Sequence, residues 1–173
     1  MICPACKIDN IEGVDECDSC GEPLTQEVPA TLASELEDSA AMTALSDVAS
    51  PAPVKVAPTA TVSEVVDRLI AASASCVLVV GPDGCLMGIV SERDLLYKVA
   101  DRYEQLKSSP IHEFMTPDPE TLKPDATVAW ALNRMDVGGF RHIPIVENSR
   151  PQGVVAVRDL LAHLSRHYMP AGS

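Results

Sequence analysis

The sequence predicts an α/β (α+β) fold: two β-α-β-β-α repeats related by a pseudo-twofold axis and preceded by a small cysteine-rich ribbon. Three observations carry this. The chain from Pro51 onward aligns on itself, apolar periodicity within each copy alternates between helix and strand patterns, and four of the six cysteines fall in the first 20 residues. The implied boundaries are 1–24 for the ribbon, 25–44 for a linker, 45–108 for the first repeat and 109–168 for the second.

The ribbon rests on Cys3-Pro4-Ala5-Cys6 and Cys17-Asp18-Ser19-Cys20-Gly21, two C-x-x-C pairs separated by ten residues. Each pair can form a tight knuckle aiming two thiolates at one tetrahedral ion, with Gly21 free to take a positive φ. The segment resembles the short zinc ribbons at the ends of many bacterial proteins, which implies Cys3, Cys6, Cys17 and Cys20 as ligands. Ligand softness favours zinc, with iron second; two disulfides or a redox dithiol are the competing readings. Four protein ligands leave no open position, so the expected metal is structural and supplies most of the folding free energy of so short a segment. From Thr25 to about Ser46 the composition turns to Ala, Ser, Thr and Glu; Leu32, Leu36 and Leu45 are compatible with a helix in this linker.

The repeat is explicit in the residues. Pro51, Pro53, Pro58, Ala60, Thr61, Val62 and Arg68 recur 66 positions later as Pro117, Pro119, Pro124, Ala126, Thr127, Val128 and Arg134. After a one-residue deletion, Gly88, Val90, Arg93, Asp94, Leu95 and Leu96 recur as Gly153, Val155, Arg158, Asp159, Leu160 and Leu161. Each copy opens with a short extended piece, Val54 to Val56 or Thr121 to Leu122. A helix follows from Thr61 or Thr127. Thr61-Val62-Ser63-Glu64 is a capping box, and Val62, Val65, Val66, Leu69 and Ile70 form an apolar face, as do Val128, Ala131, Leu132 and Met135. Two β-branched runs come next, Cys76 to Val80 and Leu86 to Val90 in one copy, His142 to Val146 and Gly153 to Ala156 in the other. A closing helix starts near Ser91 or Ala156. Cys76 and Cys85 read as small apolar residues in or beside strands.

Composition restricts the function. Of the net charge of −12, residues 1–50 carry 11 acids against Lys7, whereas residues 51–173 carry 14 acids against 12 bases. An acidic tail and only 3% aromatic residues argue against nucleic acid or an anionic membrane as partner. No signal peptide or membrane span is evident, and a cytoplasmic location is expected. Neither a nucleophile elbow, a P-loop nor HExxH appears, and His112, His142, His163 and His167 have no partner at a catalytic spacing; no enzyme activity is expected.

The order of elements, with Gly88-Ile89-Val90-Ser91-Glu92-Arg93-Asp94-Leu95-Leu96 and Arg141-His142-Ile143-Pro144-Ile145-Val146, resembles a tandem pair of cystathionine-β-synthase (CBS) domains over about Leu45 to His167. The resemblance implies a regulatory module, often a homodimer, whose inter-repeat cleft binds AMP, ADP, ATP or S-adenosylmethionine and signals to an effector partner. It places the ribose-binding aspartate at Asp94 and Asp159, and the small or hydroxylated residue before it at Ser91 and Ala156. Ile89 and Val154 would flank the base. The phosphate positions before the central strand fall on Arg141 and His142, with Pro144 in the same motif, but on Ser75 and Cys76 in the first copy; Arg93 and Arg158 are further candidates. A carboxylate can accept both ribose hydroxyls, and a guanidinium can fork onto phosphate oxygens. The plain alternative for Ser91-x-x-Asp94 is a capping box; Ala156 cannot cap, so capping is not expected to explain both aspartates. The alternative function is a non-catalytic dimerisation scaffold with vestigial clefts and a partner-docking ribbon.

Overall fold

The computed structural model of the chain describes residues 2–3, 5–11, 14–24, 41–50 and 52–168; the signal at Leu32 and Leu36 lies outside the described residues. Two compact units are formed, one from the described residues of 50–121 with 144–154, the other from those of 1–49, 122–143 and 155–173.

The first unit contains β1 (Lys55–Val56), α1 (Val62–Ala72), β2 (Cys76–Val80), β3 (Leu86–Ser91), α2 (Glu92–Lys98), α3 (Tyr103–Leu106) and β4 (Thr116–Pro117), with short 3-10 turns at Ala100–Arg102 and Ile111–Glu113. The sheet runs β1-β2-β3-β4, parallel at its first pairing and antiparallel at the others. Thr61 caps α1 with the full box: its hydroxyl accepts from the Glu64 N–H at 3.3 Å and the Glu64 carboxylate from the Thr61 N–H at 2.8 Å. Val62, Val65 and Leu69 bury against Val77, Val79 and Val90. Ile70 does not join them and is 73% exposed; at 3.6 residues per turn it lies about 80° round the helix from Val62, beyond the buried stripe. Cys76 is buried in a second cluster with Leu78 and Ile89, as its reading as an apolar residue requires.

Pairing of β4 with β3 explains Gly88. A Cβ there would lie 2.9 Å from the Thr116 carbonyl oxygen and 2.5 Å from the Met115 sulfur, so a side chain would force the edge strand away.

The second unit contains α4 (Val128–Gly138), α5 (Val157–Tyr168) and the ribbon. Thr127 caps α4 through the Trp130 N–H, and Gly139 closes it at φ 66°. Strands β5 (His142–Glu147) and β6 (Arg150–Ala156) pair as a hairpin whose residues 144–154 belong to the first unit.

The leading segments are exchanged, which the sequence boundaries do not anticipate. Carbonyls of Ser109 and Lys107, at the junction of the two repeats, accept from Val62 and Ser63 at the start of α1; carbonyls of Thr43 and Ala41, which precede the first repeat, accept from Val128 and Ala129 at the start of α4. The same 66-residue offset relates Ile111 N–H to Ala60 O and Leu45 N–H to Ala126 O, both at 2.8 Å. The first turn of a helix has N–H groups with no intrahelical acceptor, and in both repeats a chain segment remote in sequence supplies it.

Candidate functional site

Each closing helix starts beside the residue that precedes the central strand of its repeat. In the first unit the Glu92 N–H donates to the Ser75 carbonyl, and in the second the Val157 N–H donates to the Arg141 carbonyl, both at 3.0 Å. One backbone contact therefore brings Ser75 to the helix of Asp94 and Arg141 to that of Asp159. Arg141 is exposed and His142 half-buried at the start of β5. The basic pair and Asp159 thus belong to one unit, while Asp94 has a serine in the equivalent place.

The two aspartates differ in their surroundings. Asp94 Oδ2 accepts from the Ser91 N–H at 2.9 Å and the Ser91 hydroxyl at 2.6 Å, and Oδ1 lies 2.8 Å from the Lys98 ammonium. Ser91 Oγ accepts in return from the Asp94 N–H at 3.2 Å, which completes a capping box. Burial pushes the Asp94 carboxyl up, but Lys98 and Ser91 outweigh it and hold the group below its ordinary value of 3.8. Asp159 Oδ2 accepts from the Ala156 N–H at 2.8 Å, and Oδ1 is 3.8 Å from Arg158 Nε. The acid's half of a capping box therefore survives although alanine occupies the cap. This corrects the expectation that capping cannot account for both aspartates: the carboxylate needs only the backbone N–H of the cap residue.

Other predicted residues are placed as follows. Ile89 is buried in the cluster with Cys76 and Leu78, and Val154 packs against that cluster. Pro144 is buried in β5. Arg93 lies 5.5 Å from the Tyr97 ring centre on α2, and Arg158 is exposed. Lys98 joins these residues in the structure. The Asp-x-x-x-Lys spacing of Asp94 and Lys98, an i,i+4 pair on one helix face, was the signal for it.

In the ribbon the Sγ atoms of Cys3, Cys6, Cys17 and Cys20 all lie within 4.8 Å of one another. Cys3 to Cys20 is 3.6 Å and Cys6 to Cys17 3.5 Å, far beyond a disulfide and near the separation of about 3.8 Å across a tetrahedron of Zn–S bonds. The knuckles are alike: Cys3 N–H to Ile8 O and Lys7 N–H to Cys3 O in one, Cys17 N–H to Glu22 O and Gly21 N–H to Cys17 O in the other. Gly21 takes φ 72° as expected, and Lys7 takes the same turn at φ 64°. Asn10 joins the knuckles, donating to Ile8 O and accepting from Asp18 N–H. Against burial, the N–H groups of Ser19 and Cys20 draw the Cys17 thiol down to about 6. Cys20 has the Glu22 N–H in its favour, yet Cys6 and burial push it up to about 12. Four adjacent thiols cannot all ionise without a cation among them.

Two β-α-β-β-α repeats, each with an aspartate on its closing helix, define a tandem α/β repeat module. The CBS-domain family model matches residues 45–101 and 111–166, and the chain belongs to that family. An uncharacterized 17.7 kDa protein of Acidianus ambivalens is 31% identical over 132 residues, covering 75% of this chain and 79% of that protein. Longer CBS domain-containing proteins of Arabidopsis thaliana also match, and the chain spans 18% of their length. Among solved structures, a CBS-domain containing protein from Agrobacterium tumefaciens is similar at 26% identity and TM-score 0.66, over 73% of this chain and 97% of that one. The CBS domain pair of protein MJ0100, solved in complex with 5'-methylthioadenosine and S-adenosyl-L-methionine, is similar in fold at 21% identity and TM-score 0.65, over 73% and 98%. Among the described residues no helix is long and apolar enough to cross a membrane.

Proposed function

We propose that this chain is a non-catalytic regulatory module that holds an adenine nucleotide at an aspartate-bearing helix start and passes its occupancy to a partner protein. The observation that supports this reading is the Val157 N–H to Arg141 O contact, which brings the Arg141 backbone to the start of the helix that carries Asp159. A carboxylate for ribose hydroxyls and a fork-shaped cation for phosphate then belong to one unit. Arg158 is a further candidate in the same unit, and Ser75, Ile89, Ser91, Arg93, Pro144 and Val154 are the candidates of the other unit, which carries Asp94. The ligand class follows the one bound by the MJ0100 pair.

The ribbon holds one zinc ion through Cys3, Cys6, Cys17 and Cys20, supported by their mutual distances. Zinc there supplies folding free energy and no chemistry, since all four positions are taken by thiolates.

Titration calorimetry with AMP, ADP, ATP and S-adenosylmethionine tests the sensor reading. At least one should bind more tightly than about 1 mM, and Arg141→Ala should weaken AMP while sparing adenosine. If none binds, the second reading takes its place: a homodimerisation scaffold, favoured by Ile70, Leu96 and Tyr97, exposed by 73, 67 and 74% in the first unit.

A further inference from the structure

We infer that the outer face of the ribbon's first knuckle, Ile2 and Ile11 about Asp9, docks a partner protein through aliphatic side chains flanked by lysine or arginine. The inference rests on the proposed signalling to a partner protein, and it says where on this chain and by what chemistry the partner is held.

The two knuckles repeat at an offset of 14 residues: Ile2 pairs with Asp9 as Glu16 pairs with Pro23, each pair one step outside the bond donated by a cysteine N–H. Opposed residues that share no hydrogen bond in an antiparallel pair carry their side chains close together on one face. Alternation along the chain decides which face. Cys3 and Asn10 are 0% and 7% exposed, so Ile2, Asp9 and Ile11, their neighbours in sequence, point the other way. Ile2 and Ile11 are then diagonal neighbours, a separation of about 7–8 Å that long side chains span, and they are 65% and 75% exposed. The second knuckle has its partner within the chain, because Pro23, the counterpart of Asp9, gives its carbonyl to Arg134 of α4. In the first knuckle the same face carries isoleucines that solvent reaches.

One exposed isoleucine is ordinary, whereas adjoining ones on so small a segment mark a contact surface. Their surroundings state the partner's charge. Residues 1–24 carry six acids against Lys7, and Asp9, Asp15, Glu16 and Asp18 are exposed. That field repels the phosphates of nucleic acid and of anionic membranes, repels a second copy of the ribbon, and attracts a basic surface. Apolar anchors inside a charged rim are the anatomy of a protein–protein contact.

Fluorescence anisotropy of a labelled synthetic peptide of alternating lysine and leucine, titrated with the full chain purified in the presence of zinc, tests this. Binding tighter than about 0.1 mM is expected, weakening as salt rises. Ile2→Ser/Ile11→Ser should lose at least about tenfold in affinity, since the buried aliphatic side chains supply most of such a contact. Asp9→Asn should bind less tightly and with a shallower dependence on salt. Ile70→Ser, which removes an isoleucine 73% exposed in the first unit, should bind as the parent does. A peptide of alternating lysine and serine should bind at least about tenfold more weakly than the lysine–leucine peptide. Metal content and circular dichroism equal to the parent's verify that each variant is folded; if the double variant fails, Ile11→Lys, which changes one side chain 75% exposed, takes its place. No binding of the lysine–leucine peptide, equal binding of the lysine–serine peptide, equal binding by the Ile2 and Ile11 variants, or an equal loss in Ile70→Ser overturns the inference. Calorimetric titration of the same preparation with AMP and with S-adenosylmethionine keeps the two readings apart: nucleotide bound and peptide not bound overturns this inference alone, and absence of both overturns the signalling reading with it.

Discussion

Asp94 and Asp159 occupy equivalent positions, yet their hydrogen-bond partners differ, and those of Asp94 make its contribution to stability depend on pH. Since Asp94 is held below its ordinary 3.8 in the folded chain, it binds a proton less readily folded than unfolded. Its contribution to stability is then complete above the unfolded value and falls away as pH drops below 3.8 through the lower folded value. The stability gap between the parent and Asp94→Asn, measured by urea unfolding, should therefore be constant from neutral pH to about 5 and shrink below 4. A gap that widens on acidification would contradict the assignment. Ser91→Ala, which removes one donor and the cap, should cost about 1 kcal/mol at neutral pH. Gly88 gives a larger effect: the backbone oxygen of Thr116 at 2.9 Å cannot swing aside as a side chain can, so Gly88→Ala should cost about 1–3 kcal/mol. The capping boxes at Thr61 and Ser91 were legible because all their atoms lie within four residues. The bond from Asp159 to the Ala156 N–H was not, because it uses a backbone atom that any residue provides.

At the scale of elements, the ribbon is tied to α4 by a side chain whose role the repeat pattern hides. Arg134, the counterpart of the exposed Arg68, is 4% exposed. It donates to the Pro23 carbonyl at 3.1 Å, and its guanidinium lies 5.2 Å from the ring centre of Trp130, the single tryptophan. A zinc ion on the four thiolates would fix the knuckle that ends at Pro23, and Arg134 would carry that constraint to α4. The purified chain should hold about one zinc, and Cys3→Ser/Cys17→Ser should release it while far-ultraviolet dichroism shows the repeats still folded. Trp130 emission should change on metal loss, and Arg134→Met should diminish the change; full metal retention by the double serine variant would refute the ligand set. Of these elements, the knuckles were readable from cysteine spacing and the strands from β-branched runs. The exchange of the segments around Thr43 and Ser109 was not, because carbonyls that accept from a distant helix start leave no mark on side-chain type.

At the scale of the whole molecule, the described residues of the first unit include an apolar surface left uncovered. In the first unit a cavity of about 640 Å³ opens between α1, α2 and α3, lined by Val66, Leu69, Ile70, Leu95, Leu96 and Tyr103. Ile70 and Leu96 on its rim are more than half exposed. Exposed large aliphatic side chains gathered on one face favour association, because each buried methylene returns about 0.8 kcal/mol. The proposed occupant is a second copy of the chain, in keeping with the homodimer expected of a CBS pair. An isologous interface would count each contributing residue twice, so a single charge introduced at the rim is felt on both sides. Sedimentation at tens of micromolar should give a dimer for the parent chain, and Leu96→Glu, which sets a carboxylate in the apolar patch of each copy, should shift it to monomer without unfolding it. Nucleotide binding should survive in that monomer, since neither Asp159 nor Arg141 belongs to the unit that carries the cavity. A parent chain that sediments as a monomer would remove the dimer, and with it the scaffold reading, while leaving the nucleotide site to be judged on its own titration.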